Sequence, residues 1–177
     1  FLIMRGPKDF RGGGAVDSPV SHIDIFPTLC EWLGLETPPW VQGRSFLPVV
    51  RGDKTGERGE IFAEVNYHAA WEPMRAIRTR RWKYIRRLNE HRRTVLPNID
   101  NSLSKIFLYD HGLADRAPPG EELYDLIYDP QEANNLAAHP EYSEVKKDLA
   151  RRLEGWMRET DDPLLVGEKP TTEGLND

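Results

Sequence analysis

Apolar positions in this chain come in short runs broken by Gly, Pro and charge, so the pattern predicts many small elements. "FLIMRGP" is an apolar run stopped by Gly6 and Pro7, which reads as a buried strand entering a loop. "SHIDIFPTLCEWLG" sets Ile23, Phe26, Leu29, Cys30 and Leu33 at helical spacing, with Gly34 available as the C-terminal cap. Pro27 has no N–H to donate, so this helix begins or kinks near it. The Pro-, Gly- and charge-rich stretch "LETPPWVQGRSFLPVVRGDKTGERG" holds no periodic run and reads as surface chain, with a boundary near residues 52 to 59. "EIFAEV" then reads as a strand and "NYHAAWEP" as a loop. "MRAIR" and "WKYIRRL", separated by "TRR", read as a β-hairpin. Residues 89 to 106 look irregular, "KIFLYD" reads as a further strand, and "EELYDLIYDPQEANNLA" as a strand ending in an Asp-Pro turn. From Pro140 onward, Tyr142, Val145, Leu149, Leu153 and Trp156 form one helical stripe. That stripe is expected to bury against the sheet.

Charge changes the picture in one place. Residues 74 to 93 hold nine of the 24 Lys and Arg and one of the 29 acids, inside a chain of net charge −5. The remainder then sums to −13 (15 basic against 28 acidic residues), so the basic stretch is a local device. An acidic chain is not built to coat nucleic acid, although a local patch stays open. In a hairpin, arginines alternate between faces and only about half can share one surface. No apolar run reaches the roughly 18 residues that cross a bilayer. The single cysteine, Cys30, permits no internal disulfide. A start at Phe1 without a basic leader reads as a piece of something longer.

Four blocks in order, "SPVSHIDIFPTLCEWLGL", "QGRSFLP", "MRAIRTRRWKYI" and "ELYDLIYDPQEANNLA", resemble the C-terminal third of a sulfatase of the alkaline phosphatase superfamily. "NYHAAWEPMRAIRTRRWKYI" with "WMRETDDP" more narrowly resembles the heparan N-sulfatase (sulfamidase) branch. The resemblance implies an α+β chain. Residues 1–52 would end the large α/β catalytic domain, residues 60–163 would form a small antiparallel sheet with a C-terminal helix, and residues 164–177 would be a tail. It also implies, for the full-length parent, a formylglycine nucleophile made in a C/S-x-P-x-R motif and a calcium ion. A hydrated aldehyde supplies the attacking oxygen while the cation neutralises sulfate oxygens.

This chain offers no catalytic residue for that chemistry. Cys30 stands in "CEWLG", without Pro or Arg at the needed offsets, and reads as a small apolar residue on a helix face. His22 and Asp24 read as the start of a structural helix, and Asp161 and Asp162 as a solvated pair before Pro163 rather than metal ligands. Substrate recognition remains. By resemblance the small subdomain overhangs the active-site cleft, with "NYHAAWEP" on the overhang. His68 would then donate a hydrogen bond to a sulfate or hydroxyl, and Trp71 would stack on a sugar face. Arg75 would pair with a sulfate or carboxylate, or else form an interdomain salt bridge. Arg78, Arg80 and Arg81 surround the hairpin turn and read as solvated, as do Arg92 and Arg93 beyond the strands.

Three functions fit. The first is the substrate-side portion of a sulfatase acting on sulfate esters or N-sulfates of a saccharide, inactive without its catalytic domain. The second is a related phosphodiesterase or phosphonate hydrolase, and the third a non-enzymatic polyanion-binding module. The partners implied by the first are a sulfated saccharide and the parent's catalytic domain, with neither nucleic acid nor membrane. Family likeness suggests periplasm, lysosome or secretion, though the residues carry no address.

Overall fold

The computed structural model describes residues 1–88 and 93–167. The chain divides into two compact units, residues 1–61 and 62–177. Its described elements mix short helices with one antiparallel sheet, an α+β chain.

In the first unit a turn at His22–Asp24 leads into helix α1, Ile25–Leu33. Ser21 and Asp24 form a reciprocal capping box, and the Ser21 N–H donates to Asp24 Oδ2 at 2.9 Å. Pro27 sits where the missing N–H costs nothing, and Gly34 ends the helix at φ 72°. The Leu35 N–H then donates back to the Cys30 carbonyl at 2.8 Å. Helix α2, Leu47–Val50, follows with Pro48 in its first turn. Phe10, Phe46 and Leu47 form the core of this unit, with Met4, Val20, Ile25, Trp32 and Val50 packed against them. Part of the stretch expected on the surface is therefore interior.

Two further expectations need correction here. "FLIMRGP" forms no strand: residues 1 to 6 carry no regular structure, because the sheet of the described residues offers them no partner. Three of the five apolar positions of the α1 stripe also face away from a core. Ile23, Phe26 and Leu33 are exposed, while Pro27, Thr28 and Cys30 are buried. Hydrogen bonds set this orientation. Asp24 accepts from the Arg44 N–H at 2.9 Å and from the Arg58 guanidinium. Thr28 Oγ1 donates to the Asp24 carbonyl at 2.6 Å and accepts from the Phe46 N–H at 3.0 Å. These bonds pull the polar side of the helix against residues 44–46. A Cβ on Gly43 would lie 1.9 Å from the Ile23 carbonyl oxygen, so only glycine lets the backbone pass there. The outward side leaves an apolar groove of about 350 Å³ lined by Ile23, Phe26, Trp40, Val41, Gln42 and Gly43.

The second unit is built on strands β1 (Glu60–Tyr67), β2 (Trp71–Thr79), β3 (Trp82–Arg87) and β4 (Glu121–Asp125), in that spatial order. The boundary between units falls inside β1. The hairpin β2–β3 pairs Ala76 with Ile85 and Ile77 with Tyr84, and β4 places Leu123 opposite Tyr84. The outer edge of β4 is closed: Asn135 bonds both Leu123 N–H and the Glu121 carbonyl, and the Leu136 N–H donates to Leu123.

Ile77, Tyr84 and Leu123 share the sheet face that buries against Leu149, Leu153 and Met157 of the long helix Ser143–Glu159. Met157 takes the buried place at the end of that stripe. Trp156 lies beside it, half-buried and stacked on Phe62 at 4.9 Å. "KIFLYD" is another correction. It belongs to helix α3, Leu103–Asp110, which makes the long helix α4. Ser102 caps α3 by accepting the Lys105 N–H at 3.1 Å, an N-cap signal that outweighs β-propensity in so short a run. In the tail, Pro163–Leu165 form a turn, and residues 168 to 177 lie outside the described residues.

Candidate functional site

Of the sequence-predicted site residues, His68 and Trp71 lie at the tip that joins β1 to β2, and Arg75 does not. Period-two alternation along β2 sends Pro73, Arg75 and Ile77 to the buried face and Glu72 and Met74 to the other. The tip itself is His68, Ala69 and Ala70. His68 is exposed, and its backbone N–H closes the turn on the Ala70 carbonyl at 3.4 Å. Trp71 is half-buried, with its ring 4.8 Å from that of Tyr67 at 54°. Tyr67 and Trp71 thus form an aromatic pair at the base of the tip that carries His68, the kind of surface that packs on the apolar face of a sugar.

A side chain from residues expected to be irregular holds this tip. Asn98 Oδ1 accepts the N–H groups of Ala69 at 2.9 Å and Ala70 at 2.7 Å. Its Nδ2 donates to the Ala70 carbonyl at 3.2 Å and to Glu72 Oε2 at 2.9 Å. Glu72 Oε1 accepts in turn from Arg87 at 2.8 Å, and Arg87 reaches Glu122 at 3.1 Å. Tyr124 closes the series by donating its hydroxyl to Glu122 at 2.6 Å. Burial, then this bond to a carboxylate, pushes the Tyr124 phenol pKa well up, so it stays a donor.

Arg75 faces the other way. It is 1% exposed, and its guanidinium meets Asp162 through Nε to Oδ2 at 2.6 Å and Nη2 to Oδ1 at 3.1 Å. Nη1 donates to Asn66 Oδ1 at 2.9 Å and to the carbonyls of Met74 and Val65 at 3.0 and 3.2 Å. Two expectations change together. Arg75 presents no donor to a substrate, and Asp162 is buried in an ion pair rather than solvated. The reason is positional: a long cation on the helix-facing side of β2 must find an internal anion. Burial alone would raise the Asp162 carboxyl, but the hydrogen bonds from Arg75 and Leu164 hold it below the usual range. Asp161, its neighbour, stays exposed at φ 51°.

Much of the basic stretch is likewise committed internally. Arg81 grips Asp125 at 2.8 Å and lies over the Trp82 ring at 4.7 Å, so it is paired rather than simply solvated. Lys83 meets Glu132 at 2.5 Å. Arg78 and Arg93 are exposed, and Arg92 lies outside the described residues.

Neither group implied by the resemblance finds a seat. Cys30 is buried in α1 and is followed by Glu31, Trp32 and Leu33 rather than the formylglycine motif. Among the described residues, no group of three or more His, Cys, Asp and Glu could hold a metal ion. The described residues thus fit neither calcium nor formylglycine, and no chemical step is assigned to them. No helix among them is long and apolar enough to cross a membrane.

Residues 1–102 match the family model described as "N-sulphoglucosamine sulphohydrolase, C-terminal". An ulvan-active sulfatase of Formosa agariphila is 31% identical over 172 residues, which are 92% of this chain and 34% of that protein. The multifunctional alkaline phosphatase superfamily protein PehA of Trinickia caryophylli is 29% identical over 98% of this chain and 31% of its own. Among solved structures, a 2-O GAG sulfatase superposes with TM-score 0.59 at 26% identity, covering 84% of this chain and 27% of that one. The chain thus spans about a third of the length of the curated relatives it matches.

Sequence reasoning missed Tyr67, Asn98 and Asp162. For Asp162 a signal was present: Arg75 lies two residues before Ile77 on the inward side of β2 and required a partner. For Asn98 there was none, since its role depends on chain 28 residues away.

Proposed function

We propose, from the premise that this chain belongs to the sulfatase family typified by N-sulphoglucosamine sulphohydrolase and forms its C-terminal portion, that it supplies the substrate-side wall of a longer hydrolase of sulfated saccharides. The observation that carries this reading is the β1–β2 tip, where exposed His68 follows Tyr67, whose ring packs against that of Trp71. His68 donates a hydrogen bond to a sulfate or sugar hydroxyl, and Trp71 stacks on the ring. Arg75 acts behind the tip, as the anchor that ties β2 to Asp162. The nucleophile and cation, formylglycine and calcium by resemblance, come from the rest of the parent. The exposed apolar side of α1 fits an edge of the large domain, which residues 1–52 would complete.

Sulfate ester or N-sulfate of a sulfated saccharide is the substrate class. The internal pairing of Arg75, Arg81, Lys83 and Arg87 speaks against a polyanion-binding module, because those charges are already neutralised. A phosphodiesterase or phosphonate hydrolase is the second reading, favoured by the likeness to a multifunctional superfamily member. The test is turnover by the full-length enzyme. Hydrolysis of a sulfated disaccharide well above that of a phosphodiester or phosphonate is expected, and His68→Ala should raise KM for the saccharide. Preference for the phosphorus ester, or an unchanged KM, would overturn the reading.

A further inference from the structure

We infer that Asn98 is the positioning residue of the saccharide-reading tip, an inference that rests on the function proposed above. Three residues, Ala69, Ala70 and Glu72, are bound by this one amide. A side-chain amide has two acceptor and two donor positions, and all four are used here. The orientation is therefore fixed. A flipped amide would set its NH2 against two N–H donors and its oxygen against a carbonyl and a carboxylate.

Consequences follow for the tip. Ala69 and Ala70 contribute only methyl groups, so their own side chains give the turn no hold. Asn98 replaces that hold with two N–H bonds and one carbonyl bond, and it fixes Glu72, the residue directly after Trp71. Glu72 is fixed in turn by Arg87 on β3, which is fixed by Glu122 on β4. The register of Trp71 and His68 is thus referred to the rigid sheet rather than left to loop fluctuation. Pre-organisation of this kind lowers the ordering cost of binding, and it is lost without any contact to the ligand being removed. Asn98 touches no substrate in this scheme; Tyr67, His68 and Trp71 do.

The test uses the full-length enzyme, a sulfated disaccharide, and three variants: Asn98→Ala, Asn98→Asp, and Asn98→Asp combined with Glu72→Gln. Asn98→Ala is expected to raise KM about tenfold with kcat within about twofold, the signature of lost binding rather than lost chemistry. Amide hydrogen exchange at Ala69 and Ala70 should accelerate in parallel. Asn98→Asp keeps both acceptors but sets a carboxylate against Glu72, so it should be impaired too. Glu72→Gln in that background restores a donor and removes the repulsion at position 72, while the Ala70 carbonyl still lacks its donor, so KM should return part of the way. Faster tip exchange with an unchanged KM would overturn the inference, as would a fall in kcat at constant KM, or failure of the double substitution to rescue. Loss of folding in all three variants would also overturn it, by making Asn98 a stability residue alone. If the unmodified enzyme cleaves no sulfated saccharide, the proposed function fails instead, while the exchange rates still report whether Asn98 holds the tip.

Discussion

Arg75 and Asp162, 87 positions apart, meet as a buried two-point ion pair, Nε to Oδ2 at 2.6 Å and Nη2 to Oδ1 at 3.1 Å, with side chains 1% and 3% exposed. It fastens the strand that leads from the tip to the chain leaving α4. Breaking such a pair strands a charge in the interior, which costs more than the pair itself contributes. Arg75→Ala and Asp162→Ala should each destabilise the protein by about 3–5 kcal/mol. Replacing both by apolar residues, Arg75→Met with Asp162→Leu, should cost clearly less than the sum. Denaturant titration of the four proteins checks this, and additive losses would refute it.

The same pair sets an acid limit. The Asp162 carboxyl is held below its ordinary value of 3.8 in the folded chain, so its contribution is fully present above that pH and is lost as pH falls through the lower folded value. Asp162→Asn mimics the protonated form. The stability gap between Asp162→Asn and the unmodified protein should therefore be wide at neutral pH and narrow on acidification below about 3.8. Thermal unfolding across pH 2 to 7 reads it, and a gap independent of pH would count against the pair.

Leu153 is 1% exposed in the core between sheet and helix. Leu153→Ala should cost about 2–5 kcal/mol, as cavity-forming truncations do. Arg151→Ala, two residues away on the exposed side, should change stability by less than about 1 kcal/mol.

Gly43 passes so close to α1 that a Cβ would sit 1.9 Å from the Ile23 carbonyl oxygen, whereas one on Gly59 would meet nothing within 4 Å. Gly43→Ala should thus destabilise by about 1–3 kcal/mol or more through forced backbone movement. Gly59→Ala should be nearly neutral. Equal melting temperatures for the two variants would exclude the close approach.

Local chemistry written in the sequence set much of the framework. Asp24 and Gly34 delimit α1, the alternation in "MRAIR" and "WKYIRRL" gives the hairpin, and Leu149 and Leu153 mark the buried side of α4. These features depend on neighbours a few residues apart, where periodicity and capping act. The tertiary structure alone decided three others. Ile23, Phe26 and Leu33 of the α1 stripe point outward because Asp24 and Thr28 bond residues 44–46, a polar demand that hydrophobic spacing does not register. Arg75 is an anchor and not a substrate contact because the fold delivers Asp162 to it. Asn98 acts on the tip because residues 28 and 29 positions apart are brought within hydrogen-bond distance. In each case two polar groups distant in sequence must satisfy one another out of water, and which two they are is fixed only when the chain has folded.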